Sequence, residues 1–222
     1  MIAAILLAGG KSSRMNLSIP KPFLSLKNRP VFSYSLDVIL QQKKISTVVV
    51  VAPLQYHSLI KKEYPSVLFS EPGDERLDSI IQGFDTIKHL PFSHLLIHDA
   101  ARPFVDQNDI KQLIEKGLNL DGIALAEKIT ATIKQIDHHK IVKTLNRDHH
   151  CLMQTPQMLK KSLFIESLQT IKNQKISITD DMQLVEVLGK SGEILLGSRY
   201  NFKLTYPEDL AYAEFLLEKN YL

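Results

Sequence analysis

Short apolar runs alternate along this chain with longer stretches in which apolar residues recur every three or four positions. The first run, residues 1–8 (Met-Ile-Ala-Ala-Ile-Leu-Leu-Ala), is continuous and stops at Gly9-Gly10, which predicts a strand buried on both faces. Residues 47–52 (Thr-Val-Val-Val-Val-Ala) form a second such run, rich in β-branched side chains. Between them, 31–40 follows Pro30 and carries its apolar residues at helical spacing. Strand, helix, strand is the βαβ unit. The alternation continues with a helix over 54–63, a strand over 67–69, a helix over 77–88, a strand over 95–98 and a helix over 106–118. In the last of these Ile110, Leu113, Ile114 and Leu118 mark the buried stripe. The expected fold is α/β: a doubly wound, mostly parallel, Rossmann-like sheet with right-handed crossovers.

The pattern then changes. Segments 129–136 and 140–145 are extended and half polar on either side of Asp137-His138-His139, which predicts a hairpin standing off the sheet. With its flanks it makes a β-arm over about 126–150 of a single domain spanning 1–222. Two strands bury too little surface to be stable alone, so the arm is expected to pack on a partner, most simply a second copy of the chain. Helices are predicted next over 158–172 and 180–188, the second stopped by Gly189, then strands over 193–196 and 202–204. Thr205-Tyr206-Pro207-Glu208 reads as a capping box opening a last helix over 207–219.

Composition narrows the class. Apolar residues at 44% and charged residues at 23% suit a soluble domain with a full core. The net charge of +3, from 27 basic and 24 acidic residues without a long like-charge block, argues against a nucleic-acid binder. Cys151 is the single cysteine and no C-x-x-C occurs, so a reducing cytoplasm is expected and disulfides are not. The run 1–8 has no basic segment before it and is followed at once by Lys11 and Arg14, so it reads as a strand and not a signal segment; no run approaches a membrane span. The neighbours His138-His139 and His149-His150-Cys151 lack metal-ligand spacing.

The loop after the first strand is where open α/β sheets bind ligands. Gly9 and Gly10 let a ligand approach the backbone, successive amides there make an anion-binding concavity, and Arg14 and Lys21 add positive charge, a combination that suits a triphosphate. It is not a P-loop, since Ile5 stands where that motif needs its first glycine, and the dinucleotide fingerprint G-x-G-x-x-G is missing. Asp99 follows the strand over 95–98, where a carboxylate either caps the next helix or holds a magnesium ion shared with phosphate oxygens; Ala100-Ala101 leave room for a ligand. Gly73-Asp74-Glu75-Arg76-Leu77-Asp78-Ser79 opens a helix whose unpaired amides could read the edge of a base.

Read in order, Leu7-Ala8-Gly9-Gly10 with Arg14-Met15 and Pro20-Lys21, then 73–79, 98–103, Thr155-Pro156-Gln157, Ile178-Thr179-Asp180 and 202–210 resemble the 2-C-methyl-D-erythritol 4-phosphate cytidylyltransferase family over nearly the whole chain. The resemblance implies that Arg14 and Lys21 bind the triphosphate of CTP and steady the transition state, and that Asp99 helps hold Mg2+. It also implies that Gly73, Asp74 and Ser79, with Ala8 and Gly9, line the cytosine pocket, beside Gly10 and Ala100. Arg147, Lys203 and Thr132 would hold the methylerythritol phosphate, with Arg102 and Thr179 nearby. In that family the ribbon crosses to the other subunit, which implies a homodimer with shared active sites. Three positions depart from the pattern: Ser12 replaces a loop glycine, Ala131 an acidic residue beside Thr132, and Asn146 the aspartate before Arg147. The last two leave the polyol open. Ribitol-5-phosphate cytidylyltransferases share most of the motifs, although Ala101 and 178–180 lean toward the methylerythritol family. A nucleotide-binding module without transfer activity is the other alternative, disfavoured by the full set Arg14, Lys21 and Asp99.

Overall fold

The computed structural model describes residues 1–10, 19–174 and 178–221. In chain order the elements are β1 (Ile2–Leu7), β2 (Ser25–Leu26), β3 (Arg29–Pro30), α1 (Val31–Leu40), β4 (Ile45–Val51), α2 (His57–Glu63), β5 (Leu68–Ser70), α3 (Arg76–Ile87), β6 (His94–Asp99) and α4 (Gln107–Gly117). They continue with β7 (Gly122–Lys128), β8 (Ile133–Asp137), β9 (Lys140–Leu145), β10 (Cys151–Lys160), α5 (Lys161–Gln174), α6 (Gln183–Glu186), β11 (Glu193–Leu196) and α7 (Pro207–Glu218).

Seven strands form the main sheet in the order β11-β7-β10-β6-β1-β4-β5. All its pairings are parallel except those of β10, which runs antiparallel to both neighbours. The chain leaves β1 toward β4 and β5 on one side and returns to β6 on the other, so the order reverses between β1 and β6. Such a switch point opens a crevice at the strands' carboxyl ends. Leu7 there is level with Asp99, and the Ala100 amide donates to the Leu7 carbonyl at 3.0 Å.

Alternate residues of β1 feed two cores. Ile2, Ala4 and Leu6 pack with Phe32, Leu36 and Ile39 of α1 and with Ile110, Leu113 and Ile114 of α4. Ala3 and Ile5 pack on the opposite face with Ile80, Phe84 and Ile87 of α3 and with Leu163 and Phe164 of α5. A period of two with both faces covered is why the strand reads as an unbroken apolar run. A third cluster, Leu26, Val31, Phe104, Leu204, Ala213 and Leu216, seats α7.

Several expectations are corrected. Residues 158–160 end β10 and the helix begins at Lys161; β7 and β10 themselves went unpredicted. The helix expected over 180–188 shrinks to α6. Residues 202–204 are not a strand; the Leu204 amide donates to the Ala101 carbonyl at 2.8 Å and ties that segment beside β6. The last helix is capped by Asp209, not by the Thr205–Glu208 pair: its Oδ2 accepts from the Tyr206 amide at 2.8 Å and from the Thr205 amide. The hairpin forms where expected, but its first strand starts at Ile133, not 129, and it pairs with no strand of the main sheet.

Candidate active site

The switch point opens into a cleft of about 260 Å³. Its walls are the loop after β1, the turn at Lys21–Phe23, the loop entering α3, the end of β6 and the segment before α7. Gly9, Gly10, Lys21, Gly73, Asp74, Ser79, Asp99 and Lys203, all expected site residues, line it together with Arg76, Glu75 and Ala101.

Two glycines are there for packing more than for ligand access. A Cβ on Gly9 would lie 2.3 Å from Cβ of Pro72, so glycine there lets the two loops close on each other, and one on Gly73 would lie 2.2 Å from Cβ of Asp78, so glycine there lets the turn entering α3 fold tightly on that helix. At Gly10 nothing among the described residues comes within 4 Å of such an atom. The Ser79 hydroxyl accepts from the Gly73 amide and donates to the Glu75 carbonyl, both at 3.1 Å, while the Asp78 carboxylate accepts from the Glu75 amide at 3.0 Å. Ser79 therefore shapes the loop that would face the base.

Lys21, expected as a cation of the loop after the first strand, is only 8% exposed. It opens a 3-10 turn in which the Leu24 amide donates to its carbonyl at 3.1 Å, and Phe23 of that turn stacks on Tyr56 with ring centroids 3.6 Å apart. The turn thus holds its lysine by packing behind it.

Asp99 is the electrostatic centre. Its Oδ1 accepts from Nε of Arg76 at 3.2 Å and its Oδ2 from Nζ of Lys203 at 2.6 Å. Burial opposes its ionisation, but the Arg76 guanidinium and the Lys203 ammonium outweigh it and hold the carboxyl well below the usual carboxylate range. Arg76 also donates through Nη1 and Nη2, the latter at 2.9 Å, to the fully enclosed Asp181. Beneath Asp99, His98 is wholly buried. Its Nε2 meets the Arg102 carbonyl at 3.1 Å, which can only accept, so Nε2 carries the proton and Nδ1 accepts from the Thr155 hydroxyl at 2.9 Å. Burial lowers its pKa to about 4, which keeps it neutral at pH 7. The Thr155 oxygen in turn accepts from the Asp99 amide at 3.0 Å.

The remaining expected residues lie elsewhere. Arg14 falls outside the described residues. Ala8 and Ala100 are completely buried behind the cleft. The Arg102 guanidinium turns to backbone, donating to the Asn201 carbonyl at 2.8 Å and the Met153 carbonyl at 3.4 Å. Thr179 is exposed and its hydroxyl donates to Gln183 at 3.1 Å. Thr132 and Arg147 sit exposed at the base of the ribbon, where Arg147 donates to the Thr130 carbonyl. From sequence alone no role is assigned to Arg76, visible in the motif that opens α3, or to Asp181, whose outward sign is a pair of adjacent acids.

A switch-point cleft that brings Lys21, Arg76 and Lys203 together, with Lys203 and Arg76 both bonded to Asp99, offers cations to phosphate oxygens, and with this fold it marks a nucleotidyltransferase. The chain belongs to the 2-C-methyl-D-erythritol 4-phosphate cytidylyltransferase (IspD) family, whose profile matches residues 2–219. The protein of that name from Chlamydia pneumoniae is 35% identical over 213 residues, covering 96% of this chain and 97% of the other. Its namesake from Caldicellulosiruptor bescii is 36% identical over 222 residues, covering 98% of each. Among solved structures, 4-diphosphocytidyl-2C-methyl-D-erythritol synthase from Anaerococcus prevotii superposes with a TM-score of 0.86 at 25% identity, over 98% of this chain and 96% of that one.

Proposed function

We propose that this chain transfers the cytidylyl group of CTP to 2-C-methyl-D-erythritol 4-phosphate, giving 4-diphosphocytidyl-2-C-methyl-D-erythritol and pyrophosphate for non-mevalonate isoprenoid precursor synthesis. Full-length membership in the cytidylyltransferase family carries this reading, and the cleft around Lys21, Asp99 and Lys203 agrees with it. The polyol phosphate attacks the α-phosphorus in line and pyrophosphate leaves. Both reactants are anions, so the protein's task is to hold them close and to neutralise charge that grows in the transition state. Lys21 and Arg14 meet the triphosphate; Lys203 meets the incoming phosphate from the other wall. The loop over 73–79, shaped by Ser79, receives the cytosine.

Asp99 fits magnesium in one way. Among the described residues no group of three or more His, Cys, Asp or Glu could hold a metal ion. Magnesium, however, is commonly held by one or two carboxylates together with substrate phosphates. Each Asp99 oxygen accepts one hydrogen bond from a cation and has a second lone pair to offer. When bound there, the ion would neutralise phosphate charge.

The arm supplies the rest of the polyol site in a homodimer. On the ribbon Ile136, Ile141 and Val142 are 64%, 66% and 55% exposed, an apolar strip suited to a second copy that would receive Thr132 and Arg147 in its cleft. The reaction is assigned to the cytoplasm, in keeping with the single cysteine; among the described residues no helix is long and apolar enough to cross a membrane. The test is pyrophosphate release from CTP and Mg2+ with each polyol phosphate in turn. Release with methylerythritol phosphate and little with ribitol 5-phosphate is expected; the reverse order would overturn the substrate, and no release with either would overturn the transfer.

A further inference from the structure

Asp181 does not line the cleft, yet it is tied to it through a continuous set of hydrogen bonds. Its own amide and that of Met182 donate to Oε1 of Gln157, at 2.9 and 3.0 Å, and Gln157, 1% exposed on β10, donates to the Gln154 carbonyl at 3.0 Å. The backbone carrying Asp181 is thereby pinned to the central sheet. The Asp181 carboxylate then takes both terminal nitrogens of Arg76, whose Nε reaches Asp99, whose other oxygen takes Lys203. A planar guanidinium gripped on two edges by two carboxylates has one orientation open to it. An apolar pair of similar volume at 76 and 181 would often serve stability as well as a buried ion pair does, so the charges point to placement.

We propose that Asp181 is a positioning residue: acting through Arg76, it sets Asp99 and thereby aims Lys203 at the polyol phosphate. Without Asp181 the Arg76 fork turns onto Asp99 with two nitrogens, and Lys203 loses its partner there. This inference rests on the cytidylyl-transfer reading, so the experiment separates the two.

The variant D181N keeps the side chain's size and removes its charge. It is measured for thermal midpoint, for CTP affinity by calorimetry, and for kcat and KM, both alone and in a K203M background. A misplacement far from the chemistry can cost about 10²-fold. We expect kcat/KM for the polyol phosphate to fall roughly 10- to 100-fold in D181N, with CTP affinity within about 3-fold of wild type. In K203M the same change should cost less than about 3-fold further, because its target is already gone. A wild-type kcat/KM in D181N, or an equal loss in both backgrounds, would overturn the proposal; the second result is what a merely structural role gives. Should D181N fail to fold, R76K takes its place: one ammonium cannot fork Asp181 and reach Asp99 together, so the same loss and the same dependence on Lys203 are expected, and a wild-type-like R76K would overturn the proposal. If wild type releases no pyrophosphate at all, the transfer reading fails instead. Positioning is then read from the NMR signal of the Lys203 side chain, which should shift in D181N; an unmoved signal would overturn it.

Discussion

Lys203 and Arg147 are the two cations proposed for the same phosphate, and the structure surrounds them in opposite ways. Lys203 is bonded to a carboxylate whose side chain is only 10% exposed, and that carboxylate is braced by Arg76, Asp181 and β10. Arg147 stands on an exposed ribbon and, among the described residues, donates from its side chain to the Thr130 carbonyl at the ribbon's base. The described walls of the cleft are tied together within one chain, while the ribbon forms a two-stranded sheet apart from the main one. A catalytic group gains most when its ordering is complete beforehand. Each half of the site therefore predicts a different response to mutation.

The largest effect belongs to the organised half. Lys21→Ala should lower kcat by on the order of 10²-fold or more, as removal of one transition-state stabilising group does. Because Lys21 is buried in its turn, a lower thermal midpoint is also expected, and the turnover has to be measured on protein shown to be folded. Turnover near that of wild type would take Lys21 out of the mechanism.

The ribbon's contribution shows next, between chains. Arg147→Ala and Lys203→Ala should each be nearly inactive, but coexpressed or refolded together they should recover roughly a quarter of wild-type activity. With random exchange about half the dimers are mixed, and each mixed dimer has one site with Lys203 from one chain and Arg147 from the other. If mass spectrometry confirms exchange and activity stays at the single-mutant level, both residues serve one chain and the crossing ribbon is wrong.

The same contrast explains what the sequence made visible. β1 and β4 are legible because burial on both faces leaves an unbroken apolar run. The ribbon is legible from its turn and its half-polar flanks. β10 is not: Gln154, Thr155 and Gln157 are buried in it through hydrogen bonds and not through apolar character, and Met158 and Leu159 run on into a helix with no visible boundary. β7 is hidden by Ala, Leu and Glu, residues that favour helices. Residues 202–204 alternate as a strand would, but that segment is fixed to Ala101 by a single backbone hydrogen bond and joins no ladder. Lys21, Gly73, Asp99 and Lys203 lie in short motifs and were legible. Asp181 matters because it is enclosed and faces Arg76, and both facts arise only when α3 and the loop before α6 meet.

A smaller effect distinguishes glycines within the cleft. Gly73→Ala places a methyl group 2.2 Å from Cβ of Asp78 and 2.9 Å from its carbonyl carbon, so backbone must move and the Gly73 amide leaves Ser79. A stability loss of about 1–3 kcal/mol is expected, as for other overpacked sites, with weaker CTP binding. Gly10→Ala meets no atom of the described residues within 4 Å and should stay within about 0.5 kcal/mol of wild type. Denaturant unfolding and calorimetry of the two variants check this; equal losses would mean that the turn entering α3 is not packed as tightly as described.

The smallest expected effect is a null in the ribbon, and it is the sharpest test of the comparison. Ile136, Ile141 and Val142 keep most of their surface in water within their own chain, so replacing them by threonine removes little packing from the monomer. Each substitution should change unfolding free energy by less than about 0.5 kcal/mol when measured at a concentration low enough for single chains to dominate. If the strip is an interface, the triple variant should instead lower the mass seen by light scattering at high concentration from two chains to one. Activity should fall with it, because Thr132 and Arg147 would no longer reach a neighbour's cleft. A triple variant that stays dimeric and active would put the dimer contact, and the second half of the polyol site, somewhere other than this ribbon. A monomer that loses several kcal/mol would mean that the ribbon packs on its own chain after all, and the division between an organised cleft and an unsupported arm would fail.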